Sequence, residues 1–256
     1  MTRPLEQQDI VIGLQSLGVR PGELLLAHTS LRSFGQVAGG AETVARALVE
    51  SVSPGGSTFV PTFTFGQLPW DAATTRSLTG AVTEAFRQLP GVTRSAHPTH
   101  ALAGVGPAAA QILAGHDRVH PFSLGSPLSR LWERNAWVLL VGCGHESNSM
   151  VHVAEELAGV PQLTRTRTVR AIEQDGRTRE LVVRRPGCSN GFNAIDAPLQ
   201  QRGAIREAQI GAARAILMRA ADVVEVSAKL LRRDPAALLC PRGNCQVCDE
   251  ARAMIP

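Results

Sequence analysis

Ser149, His152, Glu155 and Glu156 follow one another at helical spacing behind a branched apolar run, Val138-Leu139-Leu140-Val141, and a small-residue turn, Gly142-Cys143-Gly144. The apolar run reads as a buried strand that stops at the turn. Ser147 or Asn148 can cap a helix whose first turns carry the four polar residues. Positions three and four apart share a helix face, so a hydroxyl, an imidazole and a carboxylate can point into one site. Beyond the carboxyl end of a strand is where an α/β enzyme keeps its chemistry. An imidazole can take a proton near neutral pH while a carboxylate fixes its tautomer. The plainer alternative is a solvated amphipathic helix with an incidental histidine.

Two cysteine patterns also bear chemistry. Cys143 between glycines has the look of a nucleophile on a strand–helix turn, although such turns also select small residues for space alone. Near the end, Cys240, Cys245 and Cys248 form Cys-x₄-Cys-x₂-Cys, and Cys188 could complete a four-thiolate structural zinc site. The alternative is a set of buried or solvated thiols. A zinc ribbon would make an interaction protein the rival class. Among the histidines, His116 and His120 lie in a polar loop before Pro121 and are expected to be solvated or structural, and nothing near His145 distinguishes it.

The elements that must position these residues follow a β–loop–α–β rhythm. A helix over residues 5–17 stops at Gly18, and Leu24-Leu25-Leu26-Ala27-His28 is a compact strand. A polar loop, Ser30, Leu31, Arg32, Ser33, Phe34, Gly35 and Gln36, leads to a helix over residues 41–52. Pro54-Gly55-Gly56 breaks that helix before the strand Ser57-Thr58-Phe59-Val60. Units of this kind build a parallel sheet with ligands beyond the strand ends. Hydroxyls, an arginine and a helix N-terminus suit a phosphate or a pantetheine-like chain, although an ordinary polar turn has the same composition. The fold expected is α/β, a central and largely parallel sheet flanked by helices, over residues 1–239. The Cys-rich tail, 240–256, packs on the same domain.

Composition limits the partners. The 256 residues are 44% hydrophobic, enough for one large core. Seven Phe, three Trp and no Tyr offer few stacking platforms for single-stranded nucleic acid. The net charge of +4 is scattered, apart from short clusters at Arg165, Arg167 and Arg170 and at Arg184-Arg185. That balance is compatible with an anionic cofactor and does not call for nucleic acid. The opening residues hold no apolar signal region and no apolar run approaches membrane-spanning length, so no membrane partner is expected, and the location expected is cytoplasmic with reduced cysteines.

His28-Thr29-Ser30-Leu31-Arg32-Ser33-Phe34-Gly35, Pro54-Gly55-Gly56-Ser57-Thr58-Phe59-Val60-Pro61-Thr62-Phe63-Thr64 and Thr79-Gly80-Ala81-Val82-Thr83-Glu84 resemble, in order, the aminoglycoside 3-N-acetyltransferase family. Pro90-Gly91-Val92-Thr93-Arg94-Ser95-Ala96-His97-Pro98-Thr99-His100, Ser126-Pro127-Leu128 and Asn148-Ser149-Met150-Val151-His152-Val153-Ala154-Glu155 continue the resemblance, which thins towards Phe192 and Ile210. It implies a coenzyme A-dependent acyltransferase that moves an acetyl group from acetyl-CoA to a small-molecule amine, an aminoglycoside or a related compound. It also implies the cofactor at residues 30–36, with His97, Pro98 and Ser126 along the neighbouring wall. His152 with Glu155 would be the catalytic pair. For the oxyanion of the thioester, the Ser149 hydroxyl, where the family usually has Thr, or backbone N–H groups at the helix start could supply the donor. The alternative is a non-catalytic member. For the acceptor, Trp70, Asp71, Glu156 and Asp196 are the candidates. The segment of residues 66–76 is short and holds a single acid, which is little for a polycation.

Overall fold

The computed structural model describes residues 3–66, 70–172 and 175–255. Gln67, Leu68 and Pro69 of the short segment before Trp70 lie outside the described residues. In chain order the elements are α1 (Gln7–Leu17), β1 (Leu24–Thr29), α2 (Gly40–Ser51), β2 (Ser57–Pro61), α3 (Ala81–Phe86), β3 (Thr93–Arg94), β4 (Leu102–Val105), α4 (Ala109–Leu113), α5 (Pro127–Glu133), β5 (Trp137–Val141) and α6 (Val151–Ala158). They continue with β6 (Thr166–Ile172), β7 (Thr178–Arg184), α7 (Asp196–Gln201), β8 (Arg206–Ile210), β9 (Ala213–Arg219), α8 (Ala220–Arg233) and α9 (Gln246–Arg252).

The main sheet is α/β in character, with strand order β3-β4-β2-β1-β5-β9-β8. β1 lies between β2 and β5 and is parallel to both. That trio is the parallel core that crossover helices dictate, because the chain must return to the same end before each strand. The flanking pairs, including β2–β4, β5–β9 and β8–β9, are antiparallel. Only Gly211 and Ala212 join β8 to β9, and so short a link forces a hairpin. Parallel pairing is therefore confined to the centre of a mixed sheet.

Alternation along the strands divides two apolar layers. Leu26, Phe59, Val138 and Leu140 face α4, α5, α6 and α8, while Leu25, Ala27, Val60 and Leu139 face α1, α2 and α3. Side chains two apart share a sheet face, so each central strand feeds both layers. Burial of one such leucine stabilises by about 1.5–3 kcal/mol. His28, two residues after Leu26, projects on the α6 side. A separate hairpin, β6–β7, was not expected from periodicity. In the stretch 240–256, Cys248 and Ala251 are buried, and Glu250 pairs with Arg165 at 2.5 Å. Among the described residues no helix is long and apolar enough to cross a membrane.

Candidate active site

The ends of β1 and β5 and the start of α6 meet at His28. Its Nε2 accepts the Ser149 backbone N–H at 3.2 Å and lies 2.9 Å from Ser149 Oγ. Burial pushes His28 down to about 3, so the ring is neutral. Accepting from the Ser149 N–H leaves the ring proton on Nδ1 and draws the Ser149 hydroxyl proton towards the same nitrogen. Ser149 is not on the helix, in contrast to the spacing argument. A 3₁₀ turn, His145–Ser147, comes first, Asn148 Oδ1 accepts the Met150 N–H at 3.2 Å, and α6 begins at Val151. A polar turn residue that bonds its own backbone competes with helix, which is why the helix starts later.

His152 and Glu155 share the helix face that their spacing requires. His152 Nδ1 stands 2.5 Å from Glu155 Oε2, and both side chains are almost fully buried. The Nδ1–H donates to the carboxylate, leaving Nε2 for the cavity. Two aromatic rings hold the imidazole plane: Phe122 stacks on it at 4.3 Å and 3°, and Phe192 meets it edge-on at 5.0 Å. Such contacts restrict the ring to one rotamer.

A cavity of about 670 Å³ opens over these groups. His28, Ser149 and His152 line one side, Phe63, Phe65 and His100 another, and Glu146, Arg167 and Arg185 supply the charge. Burial raises Glu146, but the Gly144 N–H and the Asn193 amide outweigh it and hold the carboxyl below its ordinary value. Arg167 stands at the start of β6 with its Nε buried and without a hydrogen-bond partner among the described residues. In the sequence these arginines stand out only as clusters, with no hairpin signal to bring them here. His28 was legible only as a strand residue, because its partner is 121 positions away.

The family profile for aminoglycoside 3-N-acetyltransferase matches residues 26–232. This chain belongs to that family. It is 36% identical over 238 residues to aminoglycoside N(3)-acetyltransferase IV from Salmonella sp., covering 91% of this chain and 90% of that protein. The crystal structure of an AAC(3)-IVa histidine-to-alanine mutant in complex with a gentamicin superposes with a TM-score of 0.89 and 34% identity, covering 100% of this chain and 99% of that one. AAC-IIIb in its binary complex with CoASH shares the fold at TM-score 0.81 and 23% identity, over 90% of this chain and 97% of that one. As a member of the aminoglycoside 3-N-acetyltransferase family the chain is an acyltransferase.

Within this family member the expected site residues divide. His152, Glu155 and Ser149 come together as described. Residues 30–36 form a 3₁₀ turn, Leu31–Phe34, and none of them lines the cavity, whose wall reaches only to Thr29: Ser33 Oγ donates to the Gly142 carbonyl at 2.9 Å and lies 3.0 Å from Ser30 Oγ. Phe34 is buried, Leu31 is half-buried, and Arg32, Gly35 and Gln36 are exposed. His97 and Pro98 line a separate cavity of about 350 Å³ with Asp117 and His120. Ser126 is fully buried and caps α5, its Oγ accepting the Ser129 N–H at 3.2 Å. Neither His97 nor Ser126 lines the His152 cavity.

The acceptor candidates do not converge. Trp70 is buried and bridges to Ala171. Asp71 Oδ1 accepts the Ala73 and Thr74 N–H groups at 2.9 and 2.7 Å and so closes a local turn. Glu156 pairs with Arg184 at 3.0 Å. Asp196 accepts from Gln200 at 2.7 Å and stands 3.5 Å from His145 Nε2. None of the four lines the His152 cavity, where Glu146 is the carboxylate on the wall among the described residues. Burial raises the Cys143 thiol to about 11, which leaves no thiolate for attack at neutral pH.

Proposed function

We propose that this chain transfers the acetyl group of acetyl-CoA to an amine of an aminoglycoside or a related amino compound, with His152 as general base and Glu155 as its orienting carboxylate. The observation that carries this reading is the 2.5 Å His152–Glu155 pair whose free Nε2 faces a cavity large enough for a small-molecule acceptor. Acetyl-CoA supplies the thioester and an anionic handle. The partnerless Arg167 Nε and the neighbouring Arg185 fit an anionic group, and Thr29, which leads into the 30–36 turn, lines the same cavity.

The chain's own part in the reaction is proton management. An ammonium has no lone pair, so the amine reacts as the free base: His152 Nε2 takes a proton from it as the carbon–nitrogen bond forms, and Glu155 stabilises the imidazolium. The carbon–sulfur bond then breaks, the coenzyme A thiolate leaving and taking up that proton. Such a base contributes about 10² to 10⁴ in rate. The Ser149 hydroxyl can donate to the developing oxyanion once its proton turns away from His28, a hydrogen-bond exchange of about 1 kcal/mol. Glu146, held ionised, gives the acceptor's other ammonium groups a counter-charge.

Thiol release from acetyl-CoA, measured with aminoglycosides, simple polyamines and arylamines, tests the reading. We expect acceptor-dependent release that falls by about 10² or more in His152→Ala. Undiminished turnover in that variant would remove the base role. If no amine on the panel gives release, and the protein also fails to bind coenzyme A, the transfer itself is refuted.

A further inference from the structure

Four of the five cysteines meet at one point. The Sγ atoms of Cys188, Cys240, Cys245 and Cys248 all lie within 4.8 Å of one another, and none is in a disulfide. Cys188 and Cys240, 52 residues apart, have their sulfurs 3.7 Å apart. In a tetrahedral zinc thiolate with bonds of ~2.3 Å, the sulfurs stand ~3.8 Å from one another. Backbone N–H groups also aim at the sulfurs. Cys240 N–H points at Cys248 Sγ at 3.4 Å, and Asn190 N–H at Cys188 Sγ at 3.5 Å. Donors of this kind favour the thiolate over the thiol.

The backbone is built for this meeting independently of the thiols. Gly191 packs so closely against the tail that a Cβ there would lie 2.4 Å from the Leu238 carbonyl oxygen. Cys188 is thus held against the segment that delivers Cys240. Arg252 donates to the Cys240 carbonyl at 2.6 Å, which places a cation beside the cluster. Residues on both sides of Cys188, namely Arg185, Pro186, Gly187 and Ser189, line the cavity over His152.

We propose that Cys188, Cys240, Cys245 and Cys248 bind one zinc(II) ion, which ties the C-terminal tail to the wall of the acyl-transfer cavity. Four thiols lose four protons to solvent and coordinate the ion as thiolates, with no change of oxidation state. Four protein ligands close the coordination sphere, so the ion is structural and leaves no open position for substrate. Catalysis stays with His152. The metal holds the 185–189 segment in place.

The full-length protein, purified without chelator, is analysed for metal content and then prepared with cobalt(II) in place of zinc. We expect about one zinc per chain, the number a four-thiolate site holds. The cobalt protein should show the intense visible absorption of tetrahedral thiolate cobalt. Cys188→Ser should lose most of the metal, and Cys143→Ser, outside the cluster, should keep it. With the zinc lost, KM for acetyl-CoA and for the amine should rise several-fold while kcat stays close to wild type. That kinetic readout rests on the acyl transfer proposed above, whereas metal content and the cobalt spectrum do not, so the two failures are distinguishable. Metal-free native protein with four readily titrated thiols, a Cys188–Cys240 disulfide, or bound iron would each overturn the zinc site. A zinc-bearing protein whose Cys188→Ser variant loses the metal yet keeps both KM values would overturn the tie to the cavity wall.

Discussion

At the scale of single residues, the two roles proposed for the His152–Glu155 pair, a base and the group that orients it, are separable. The carboxylate accepts from Nδ1, so the amide of Glu155→Gln could present an N–H where an acceptor is needed and favour the other tautomer. We expect Glu155→Gln to lower kcat by about 10- to 10³-fold with little change in KM, because orientation of the base is lost rather than binding. A steady-state comparison with His152→Ala checks this. Equal activity in wild type and Glu155→Gln would show that Phe122 and Phe192 alone orient the ring. The pair was legible from sequence because residues three apart on a helix meet whatever the rest of the chain does. The role of His28 was not legible, since a strand histidine acquires its partner only when β1 and β5 are registered side by side.

Among the elements, the turns after β1 and β5 are the close fit on which the site depends. Gly142 has φ +68°, and a Cβ there would lie 2.2 Å from Ser33 Cβ. Gly142→Ala therefore combines a left-handed residue with overpacking. We expect it to destabilise by about 2–5 kcal/mol. Urea unfolding measures that loss, and the KM for acetyl-CoA should rise as the 30–36 turn is pushed aside. A variant as stable as wild type would mean that the turn relaxes freely. Glycine at this position was visible in the sequence as a turn signal. The clash partner, 109 residues earlier, was not. The hairpin β6–β7 escaped for a related reason: Arg167 and Arg179 share the inner face with buried Val169, Ala171 and Val183, while Val182 is exposed on the outer face, so residue type does not follow burial along the strands.

For the whole molecule, the buried histidines set an acid limit on stability. Burial pushes His28, His97 and His116 down to about 3, about 2 and about 4, and holds His100 well below its ordinary value. In the unfolded chain each returns to ~6.5. The folded values are depressed, so this stability is fully present above ~6.5 and is lost as pH falls towards the folded values. Each ring costs about 1.4 kcal/mol per pH unit within that window. We expect the melting temperature to fall steeply from pH 6.5 to 4.5, and His116→Gln to flatten the slope by about one proton. A melting temperature constant from pH 6.5 to 5 would contradict neutral burial. His116 lies between Ser95 Oγ at 2.8 Å and the Pro121 carbonyl at 3.0 Å, a structural post rather than a ligand.

Whatever depends on near neighbours could be read from the chain alone. The apolar runs of β1, β2 and β5, the glycine and proline breaks between them, and the His152–Glu155 spacing are local facts. They survive any packing of the chain. The tail cysteines are also local, with four and two residues between them, and Cys188 was reached only as a thiol from elsewhere in the chain that could join them. Packing settled what depends on register and on contact between distant segments. It took Ser149 off the helix and gave it to His28, it buried Trp70 against Ala171, and it sent Asp71, Glu156 and Asp196 to a local turn, an ion pair and side-chain hydrogen bonds. It brought Glu146, Arg167 and Arg185 to the cavity instead. Periodicity constrains which face a residue shares with its own element, but the opposing surface is set by packing among elements far apart in the chain.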